Sequence, residues 1–442
     1  MEKPHPQPFY TSCLTSPPRP AAWFAARECG KLSAMDASTT AAHWRAPEAI
    51  KRLSYPKFVP LLKAALAAAP ARADLKIQLA TALFQTHRVA EIVAWLAPVL
   101  ADHDTPPELL YYLGRSFLAT QDHMSASKAL RMAADRGFAP AFGYLAEAHY
   151  CLAQLNAALQ ASLQGLERTP SDFKSLGMAA TILVAQKENE RLWNLCVDLR
   201  RRGVWGTYIP SAMALSATTA EEHLEVAKLV DPSSWLSKTQ LPVPEDFNQK
   251  LAAELLGQKS LVPLPITRAT LGSGKRIDQL QLAGGPLAQE LLSKVRAAIE
   301  QFIAERQSNT QHPMIEHLPA SMVLESWALE VHSDGREAWH IHPSGWISGV
   351  YYVQVPDVRS TSDEKPGAIE FGPYPFSSQQ ETQSWRRWHV MPNPGLLLLF
   401  PSYYAHRTWA TGTNDPRICI AFDVVPSTPS NGKSESFSSD SN

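Results

Sequence analysis

Two different periods of apolar residues divide the chain. From about residue 45 to 235 the apolar residues, many of them alanine, recur at helical spacing, and turns containing Pro or Gly such as TPPE, DRGFAP and ERTPSD interrupt them. After residue 320 short apolar segments separated by Pro and Gly replace this pattern. The sequence therefore predicts a helical domain over residues 45–235 and a β-domain over residues 240–426. The residues from 205 to 245 have no clear period and are interpreted as the interdomain region.

A motif of Leu followed by a small residue repeats within the helical half. It occurs at spacings of 34, 32 and 31 residues, starting at Leu79, Leu113, Leu145 and Leu176. Ala126 and Ala158 follow Leu113 and Leu145 by thirteen residues, and each is a small residue on a second helix, where two helices must approach closely. Asn189 stands at the same distance from Leu176. Paired helices at this period resemble the tetratricopeptide repeat, which implies a solenoid whose concave face binds a peptide or protein. A plain helical bundle is the alternative.

The second half contains two helical segments and then a series of strands. The helical segments are FNQKLAAELLG and GPLAQELLSKVRAAIEQFIAERQ. The predicted strands are MVLESWALEVH, WISGVYYVQVP, AIEFGP, RRWHVM, LLLLF and RICIAFDVV. Short strands at this spacing favour a β-sandwich or jelly roll. The expected fold class is multidomain α + β, with a helical tetratricopeptide-like solenoid followed by a double-stranded β-helix (jelly roll).

Charge and cysteine usage narrow the function classes. The chain has 41 Lys and Arg against 42 Asp and Glu, so no net charge attracts it to nucleic acid or anionic lipid. Five cysteines without a CxxC pair indicate reduced thiols in the cytoplasm, and Cys151, Cys196 and Cys419 are expected to be buried. No apolar run reaches the length that spans a bilayer.

Both ends of the chain differ in composition from its middle. Residues 1–44 are rich in Pro and Ser, and residues 427–442 are polar, so both are predicted to be disordered. The N-terminus lacks the apolar segment of a secretory signal. Met35 is an alternative start of translation.

The stretch WHIHPSGW contains two histidines at the start of a predicted strand. Because residues i and i+2 of a strand point to the same face, His340 and His342 predict a pair of metal ligands at the rim of the sheet. A third ligand must come from elsewhere, and His406, which follows the apolar run LLLLFP, is the best candidate. Eleven residues later Arg417 opens another apolar strand. A guanidinium there needs an anion, and its planar fork suits a carboxylate.

These segments resemble the iron(II)- and 2-oxoglutarate-dependent oxygenases, in particular the group in which the oxygenase domain follows tetratricopeptide-like repeats. The resemblance covers roughly residues 240–426 and rests on HIHPSGWISGVYYVQVP, GAIEFG, PNPGLLLLFPSYYAHRTWATG and DPRICIAFDVVP. It implies that His340 is the first metal ligand and His406 the distal one. It also implies that Arg417 binds the far carboxylate of 2-oxoglutarate. The family's second ligand is usually Asp or Glu, but His342 stands at that position, so three imidazoles would form the site. The alternative is a site with two protein ligands and extra water, in which His342 only supports the ligands.

Other residues of this half have alternative roles. Of Tyr351 and Tyr352, one should face inward and donate a hydrogen bond to 2-oxoglutarate; we assign this role to Tyr352, with core packing as the alternative. Trp346 and Trp409 would pack in the core or wall a substrate pocket. The remaining histidines of this half are expected at the surface or in hydrogen bonds: His312, His317 and His389.

A second pair of candidate ligands lies eight residues upstream. His332 and Asp334 have the ligand spacing that is usual in the family. However, Asp334-Gly335 is typical of a hairpin turn. The later pair, His340 and His342, is favoured because a strand follows it directly.

The resemblance implies a hydroxylase that binds Fe(II), 2-oxoglutarate and O₂ and is stimulated by ascorbate. Oxidative decarboxylation would yield succinate and CO₂, coupled to hydroxylation of a C–H bond. The expected substrate is a protein or peptide presented by the repeats, with a small molecule as the alternative, and no nucleic acid or membrane partner is expected. Two other classes remain open: a non-catalytic interaction protein with a degenerate jelly roll, and a zinc site, since three histidines also suit Zn²⁺.

Overall fold

The computed structural model describes residues 43–44, 51–101, 104–206, 208–263, 270–358, 365–376 and 382–427. Met35 and nearly all of the two predicted disordered ends lie outside these residues. His43 and Trp44 are the exception in the N-terminal segment, because they pair in parallel with residues 321–322, and the Trp44 indole donates a hydrogen bond to Glu300 at 2.7 Å.

The first half of the described chain is helical, as predicted. Its helices are α1 (Lys51–Ala68), α2 (Ala73–Gln85), α3 (Val89–Leu96), α4 (Pro107–Ala119), α5 (His123–Asp135), α6 (Ala141–Cys151), α7 (Leu155–Arg168), α8 (Phe173–Gln186), α9 (Asn189–Arg201), α10 (Ile209–Ser216), α11 (Ala220–Leu229) and α12 (Pro232–Trp235). A short 3₁₀ helix (Ala97–Ala101) follows α3.

The Leu-small motif marks the first helix of successive helix pairs. Its four copies lie on α2, α4, α6 and α8, and the helices α5 and α7 carry the small residues that follow them. At Gly114 an added Cβ would lie only 2.5 Å from the Leu130 side chain, so the absence of a side chain lets α4 and α5 approach. The predicted pairing of helices around small residues is therefore confirmed.

Much of the region from 205 to 245, where the sequence has no clear period, is regular helix. The residues from Ile209 to Leu229 form the helix pair α10 and α11. The start of α11 carries a capping box, in which Thr219 accepts a hydrogen bond from the Glu222 backbone and the Glu222 carboxylate accepts one from the Thr219 backbone. The sequence TTAEE carried this signal, but Pro and Ser on either side obscured the helical period.

The second half combines antiparallel sheets with the predicted helices. Its helices are α13 (Phe247–Leu256), α14 (Leu280–Ala283), α15 (Pro286–Arg306) and α16 (Pro313–Glu316). The strands, counted from the one at the N-terminus, are β1 (His43–Trp44), β2 (Ser237–Gln240), β3 (Val262–Pro263), β4 (Thr270–Leu271), β5 (Gly274–Ile277), β6 (Ser321–Val331), β7 (Arg336–Glu337), β8 (Ile347–Gln354), β9 (Ile369–Gly372), β10 (Trp388–Val390), β11 (Leu396–Pro401), β12 (Ala405–Thr408) and β13 (Arg417–Pro426).

The strands form one large sheet, a three-stranded sheet and a short pair. The large sheet has the order β2-β11-β8-β13-β6-β5-β3, with β1 beside β6, the smaller has the order β10-β9-β12, and β4 pairs with β7. Phe371 of the smaller sheet packs edge-on against Phe400 of the large one, with ring centroids 4.9 Å apart. Side chains cover both faces of β8 and β11, so these strands are buried at nearly every position. The antiparallel β-domain agrees with the sequence, while the double-stranded β-helix stays a prediction.

The last helices of the first half share a hydrophobic core with the sheets. One cluster of buried residues joins α1 to α8, and a second extends from Ala158 on α7 to Val424 on β13. Where the helices meet the β-domain, the centre of the Tyr208 ring lies 4.9 Å from that of the Tyr374 ring. The backbone N–H of Tyr374 donates to the Ser211 hydroxyl at 2.9 Å. The β-domain is therefore held against the helices by both apolar packing and buried hydrogen bonds.

Two further predictions concern thiols and membranes. The described cysteines are unpaired, and Cys196 and Cys419 are buried as expected, but Cys151 is exposed because it ends α6 at the surface. Within the described ranges, no helix has the length and apolar character needed to cross a bilayer.

Candidate active site

The structure brings the three predicted histidines together. The ring centroid of His406 lies 4.2 Å from that of His340 and 5.2 Å from that of His342, and one nitrogen of each ring lies within 4.8 Å of the others. His340 and His406 also exchange two backbone hydrogen bonds of 3.0 Å, which hold their strands side by side. In the part of the chain that the structure describes, no other group of three or more His, Cys, Asp or Glu residues is arranged to hold a metal ion.

The second nitrogen of each ring is fixed by an acceptor. The Nδ1 atoms lie 2.7 Å from Ala338 O for His340, 3.0 Å from Tyr404 O for His406 and 2.9 Å from Asp423 Oδ2 for His342. Carbonyl and carboxylate oxygens only accept, so each Nδ1 carries a proton, and in the neutral ring Nε2 then keeps its lone pair. The buried Nε2 of His342 has no hydrogen-bond partner. This arrangement fits a metal ion bound by three Nε2 atoms.

Burial and neighbouring charges set the protonation of the rings. Burial lowers the pKa of His340 and, together with the two adjacent imidazoles, lowers the pKa of His406 well below its usual range. Burial also acts to lower the pKa of His342, but Asp423 outweighs it, so that this pKa is raised. His340 and His406 are therefore kept neutral, the form in which imidazole binds a metal.

Arg417 is a buried cation whose described contacts are all neutral. Only 3% of it is exposed, and its guanidinium donates to Gly367 O at 3.2 Å, Trp409 O at 3.3 Å and the Thr408 hydroxyl at 3.1 Å. Its Nε is buried without a partner, and no carboxylate of the described residues forms an ion pair with it. A buried charge needs a counter-ion, so this position fits the binding of an anion.

The two tyrosines of β8 point to opposite sides of the large sheet. Tyr351 donates to Asn248 of α13 at 2.7 Å. Tyr352 pairs in register with Cys419, so it lies on the same face as Arg417, two residues earlier on β13. Burial raises the pKa of Tyr352 well above its usual value, although the positive charge of Arg417 opposes this, so Tyr352 remains a hydroxyl donor.

Two carboxylates near the histidines were missed by sequence reasoning. Asp423 contacts His342, and it lies on the same face of β13 as Arg417 because six residues separate them. An Asp inside the apolar run ICIAFDVV was a readable signal. Glu337, whose Oε2 is 3.8 Å from the Nε2 of His340, had no comparable signal beyond its closeness in sequence.

The rival pair lies outside the cluster. His332 contacts Glu330 at 3.1 Å and the Asn414 carbonyl at 3.2 Å, and Asp334 accepts a hydrogen bond from the Ser273 backbone at 3.1 Å. The backbone N–H of Gly335 donates to the carbonyl of His332, so a tight turn lies between β6 and β7. The predicted hairpin is nevertheless wrong, because β7 pairs with β4 and β6 pairs with β13 and β5.

The indoles of this half have different contacts, and one of them touches a candidate ligand. Trp346 donates to the Met314 carbonyl at 3.0 Å in the core, and Trp409 donates to Glu370 at 3.1 Å. Trp327, which the sequence predicts to pack in the core or at the rim, stacks its ring on His342 with centroids 5.8 Å apart and planes 14° apart. Trp327 therefore supports a candidate ligand directly.

The histidines outside the cluster have ordinary contacts. His312 is buried, stacks on Trp235 with centroids 3.9 Å apart, and accepts a hydrogen bond from the Met314 backbone at 3.2 Å. His317 lies 4.0 Å from Glu316, and His389 is exposed on β10. His312 and His389 thus occupy the two kinds of place that the sequence predicted, a hydrogen bond and the surface.

Comparison with protein families agrees with the geometry of the site. Residues 325–423 match the model of the family described as "Putative 2OG-Fe(II) oxygenase". The match spans all three histidines as well as Tyr352 and Arg417, and it ends at Asp423. The resemblance to this family is therefore confirmed. The search of curated proteins found no match.

Solved structures show limited similarity to each half. A prolyl-4-hydroxylase from Pseudomonas putida is 17% identical, covering 46% of this chain and 98% of that one, with a TM-score of 0.31. A prolyl hydroxylase from Trichoplax adhaerens, in complex with a hypoxia inducible factor peptide fragment, is 12% identical over 47% of this chain and 91% of that one, with a TM-score of 0.32. YrrB, a TPR protein with an unusual peptide-binding site, is 15% identical over 38% of this chain and 90% of that one, with a TM-score of 0.32. Similarities of this size carry no conclusion about activity or substrate.

Proposed function

We propose that this chain, a member of the 2OG-Fe(II) oxygenase family through residues 325–423, is a 2-oxoglutarate- and Fe(II)-dependent dioxygenase that hydroxylates its substrate. One observation carries the proposal: three imidazoles converge within 4.8 Å, and a buried guanidinium with no described carboxylate partner lies on the same β-domain. A metal site alone would suit many functions. A metal site with a separate anion site suits a metal enzyme with an anionic cosubstrate.

Each residue has a distinct role in this proposal. His340, His342 and His406 hold Fe(II) through Nε2, and their Nδ1 hydrogen bonds fix the rings in the correct tautomer. Arg417 binds the far carboxylate of 2-oxoglutarate, and Tyr352 donates a hydrogen bond to it. When bound, Fe(II) supplies the O₂ chemistry that couples decarboxylation of 2-oxoglutarate to hydroxylation. The protein residues bind, orient and exclude water, and Arg417 does not react.

We further propose that the substrate is a protein or peptide presented by the helical half. A cavity of about 530 Å³ lies between the two halves, with Lys228 and Asp231 on one side and residues 384–388 on the other. Arg387, which lines this cavity, also packs over the ring of Trp339, the residue before His340, at 5.2 Å. A segment of polypeptide in this cavity would therefore contact Arg387, which packs on the residue before a candidate ligand. A small-molecule substrate is the other outcome of the test.

The first experiment is succinate formation from 2-oxoglutarate by purified protein with Fe(II) and ascorbate. We expect slow release of succinate from the wild type and none from His406→Ala or Arg417→Ala. The exposed His389 and Arg201 offer matched controls, because His389→Ala and Arg201→Ala remove the same side chains from exposed positions outside the candidate site. Added repeat-domain fragments should inhibit turnover of any peptide substrate; turnover that they do not change would contradict delivery by the repeats.

One observation favours a second candidate function. His342 replaces the carboxylate ligand that is usual in the family, as in a degenerate domain that serves protein interaction only. If the wild type forms no succinate and binds neither Fe(II) nor 2-oxoglutarate, the interaction protein is the better interpretation. A cytoplasmic location, based on the cysteine pattern, stays a prediction.

A further inference from the structure

His342 is held by a carboxylate that belongs to a different strand. Its Nδ1 lies 2.8 Å from Oδ1 and 2.9 Å from Oδ2 of Asp423, and both side chains are largely buried. The Ser348 hydroxyl donates to Asp423 Oδ1 at 2.7 Å and lies 2.8 Å from the Ser402 hydroxyl. The carboxylate thus has partners of its own that fix its position behind the imidazole.

A second set of contacts fixes the plane of the same ring. Trp327 stacks on His342 with an angle of 14° between the planes, and the Arg276 guanidinium lies 4.7 Å from the Trp327 ring centre on the large sheet. By contrast, the Nδ1 atoms of His340 and His406 contact backbone carbonyls two residues earlier in the chain. Of the three candidate ligands, His342 alone contacts a charged acceptor through Nδ1.

The charge of the pair is that of the ligand that is missing. An Asp or Glu ligand brings one negative charge to the metal, whereas a neutral imidazole brings none. Asp423 restores that charge from behind the ring, at hydrogen-bond distance from Nδ1. A carboxylate in this position makes the imidazole a more basic ligand. We infer that His342 and Asp423 act as one unit that replaces the family's carboxylate ligand, with Asp423 as a positioning residue.

This inference rests on the proposed function, because it concerns the same metal site. It predicts that Asp423 acts on the metal only through His342. With a carboxylate at position 342 instead, Asp423 would face another negative charge across a short distance and would repel it. The effect of neutralising Asp423 must therefore depend on the residue at position 342.

The test is a cycle of Co(II) titrations followed by calorimetry and by visible absorption. The proteins are the wild type, Asp423→Asn, His342→Asp, the double variant and His342→Ala, with the exposed Asp415→Asn as a matched control. We expect Asp423→Asn to weaken Co(II) binding 10- to 100-fold in the wild type. In the His342→Asp background the same change should leave Co(II) binding unchanged or strengthen it. Melting of each metal-free protein reports separately on folding.

Three results would overturn the inference. The first is that Asp423→Asn weakens Co(II) binding equally in both backgrounds. The second is that Asp423→Asn changes the melting of the metal-free protein but not the affinity for Co(II). Both results would indicate a structural role. The third is His342→Ala that binds Co(II) like the wild type. If the wild type binds no Co(II), the proposed function fails together with the inference. If the cycle behaves as expected but no 2-oxoglutarate binds, only the proposed function fails.

Discussion

Arg417 provides the sharpest prediction about the cosubstrate. Replacing it with Met removes the guanidinium but keeps an unbranched side chain of similar length. A hydrogen bond to a charged group contributes about 1.5–3 kcal/mol, so a bidentate contact contributes about 3–6 kcal/mol. Each 1.4 kcal/mol corresponds to about tenfold in affinity. Arg417→Met should therefore weaken 2-oxoglutarate binding by roughly 10²- to 10⁴-fold.

The same change should have a smaller effect on the free energy of unfolding. The variant loses three hydrogen bonds, to Gly367 O, Trp409 O and the Thr408 hydroxyl, at about 1 kcal/mol each. It also removes a buried charge without a described counter-ion, whose desolvation costs several kcal/mol. Because the two effects oppose each other, we expect the stability of the ligand-free protein to change by less than about 2 kcal/mol.

Calorimetric titration of 2-oxoglutarate into Co(II)-loaded protein measures the first effect, and urea unfolding measures the second. Arg201→Met is the control, because Arg201 is exposed on α9 of the helical half. Wild-type affinity for 2-oxoglutarate in Arg417→Met would refute the assignment of the anion site. A large loss of stability together with lost binding would instead show that Arg417 serves the fold.

Four further predictions test packing, the contact between the halves, acid sensitivity and the metal. Gly349→Ala should destabilise the protein by about 1–3 kcal/mol in urea unfolding, because the added Cβ would lie 2.3 Å from the Phe422 ring, whereas Gly257→Ala should be nearly neutral. Ser211→Ala removes the hydroxyl that accepts a buried hydrogen bond from the Tyr374 N–H of the β-domain and should cost about 1–3 kcal/mol; an unchanged midpoint would contradict this. Burial lowers the pKa of His312 to about 4 in the folded protein, so the unfolded chain takes up the proton at a higher pH. The free energy of unfolding should therefore fall as pH drops from 6.5 to 4, by on the order of 2 kcal/mol at pH 5. His312→Asn should show a smaller fall. Co(II) at a hundredfold excess over its Kd should add about 2.7 kcal/mol to the free energy of unfolding, and chelation or His406→Ala should abolish this gain.

Local patterns in the sequence determined the elements and much of the candidate site. The runs LLLLF and RICIAFDVV read as buried strands because both faces of β11 and β13 are covered, so apolar residues alone specify them. The HxH spacing placed His340 and His342 on one rim, because alternate residues of an extended segment share a face. The Leu-small motif identified the helix pairs, because only small residues allow two helix axes to approach so closely.

Other features depended on contacts between distant residues, which no local pattern encodes. The carboxylate behind His342 comes from Asp423, 81 residues later, and neither residue alone indicates the other. Arg417 is a candidate anion site only because no described carboxylate reaches it, a property of the folded neighbourhood rather than of the strand that carries it. The joining of the last helices to the sheets likewise follows from packing across the chain. The sequence therefore determined which residues share a face of each strand or helix, and the tertiary structure decided which faces meet. This decided the chemistry of the buried charges, because the free energy of burying a charge depends on the partners that folding brings to it.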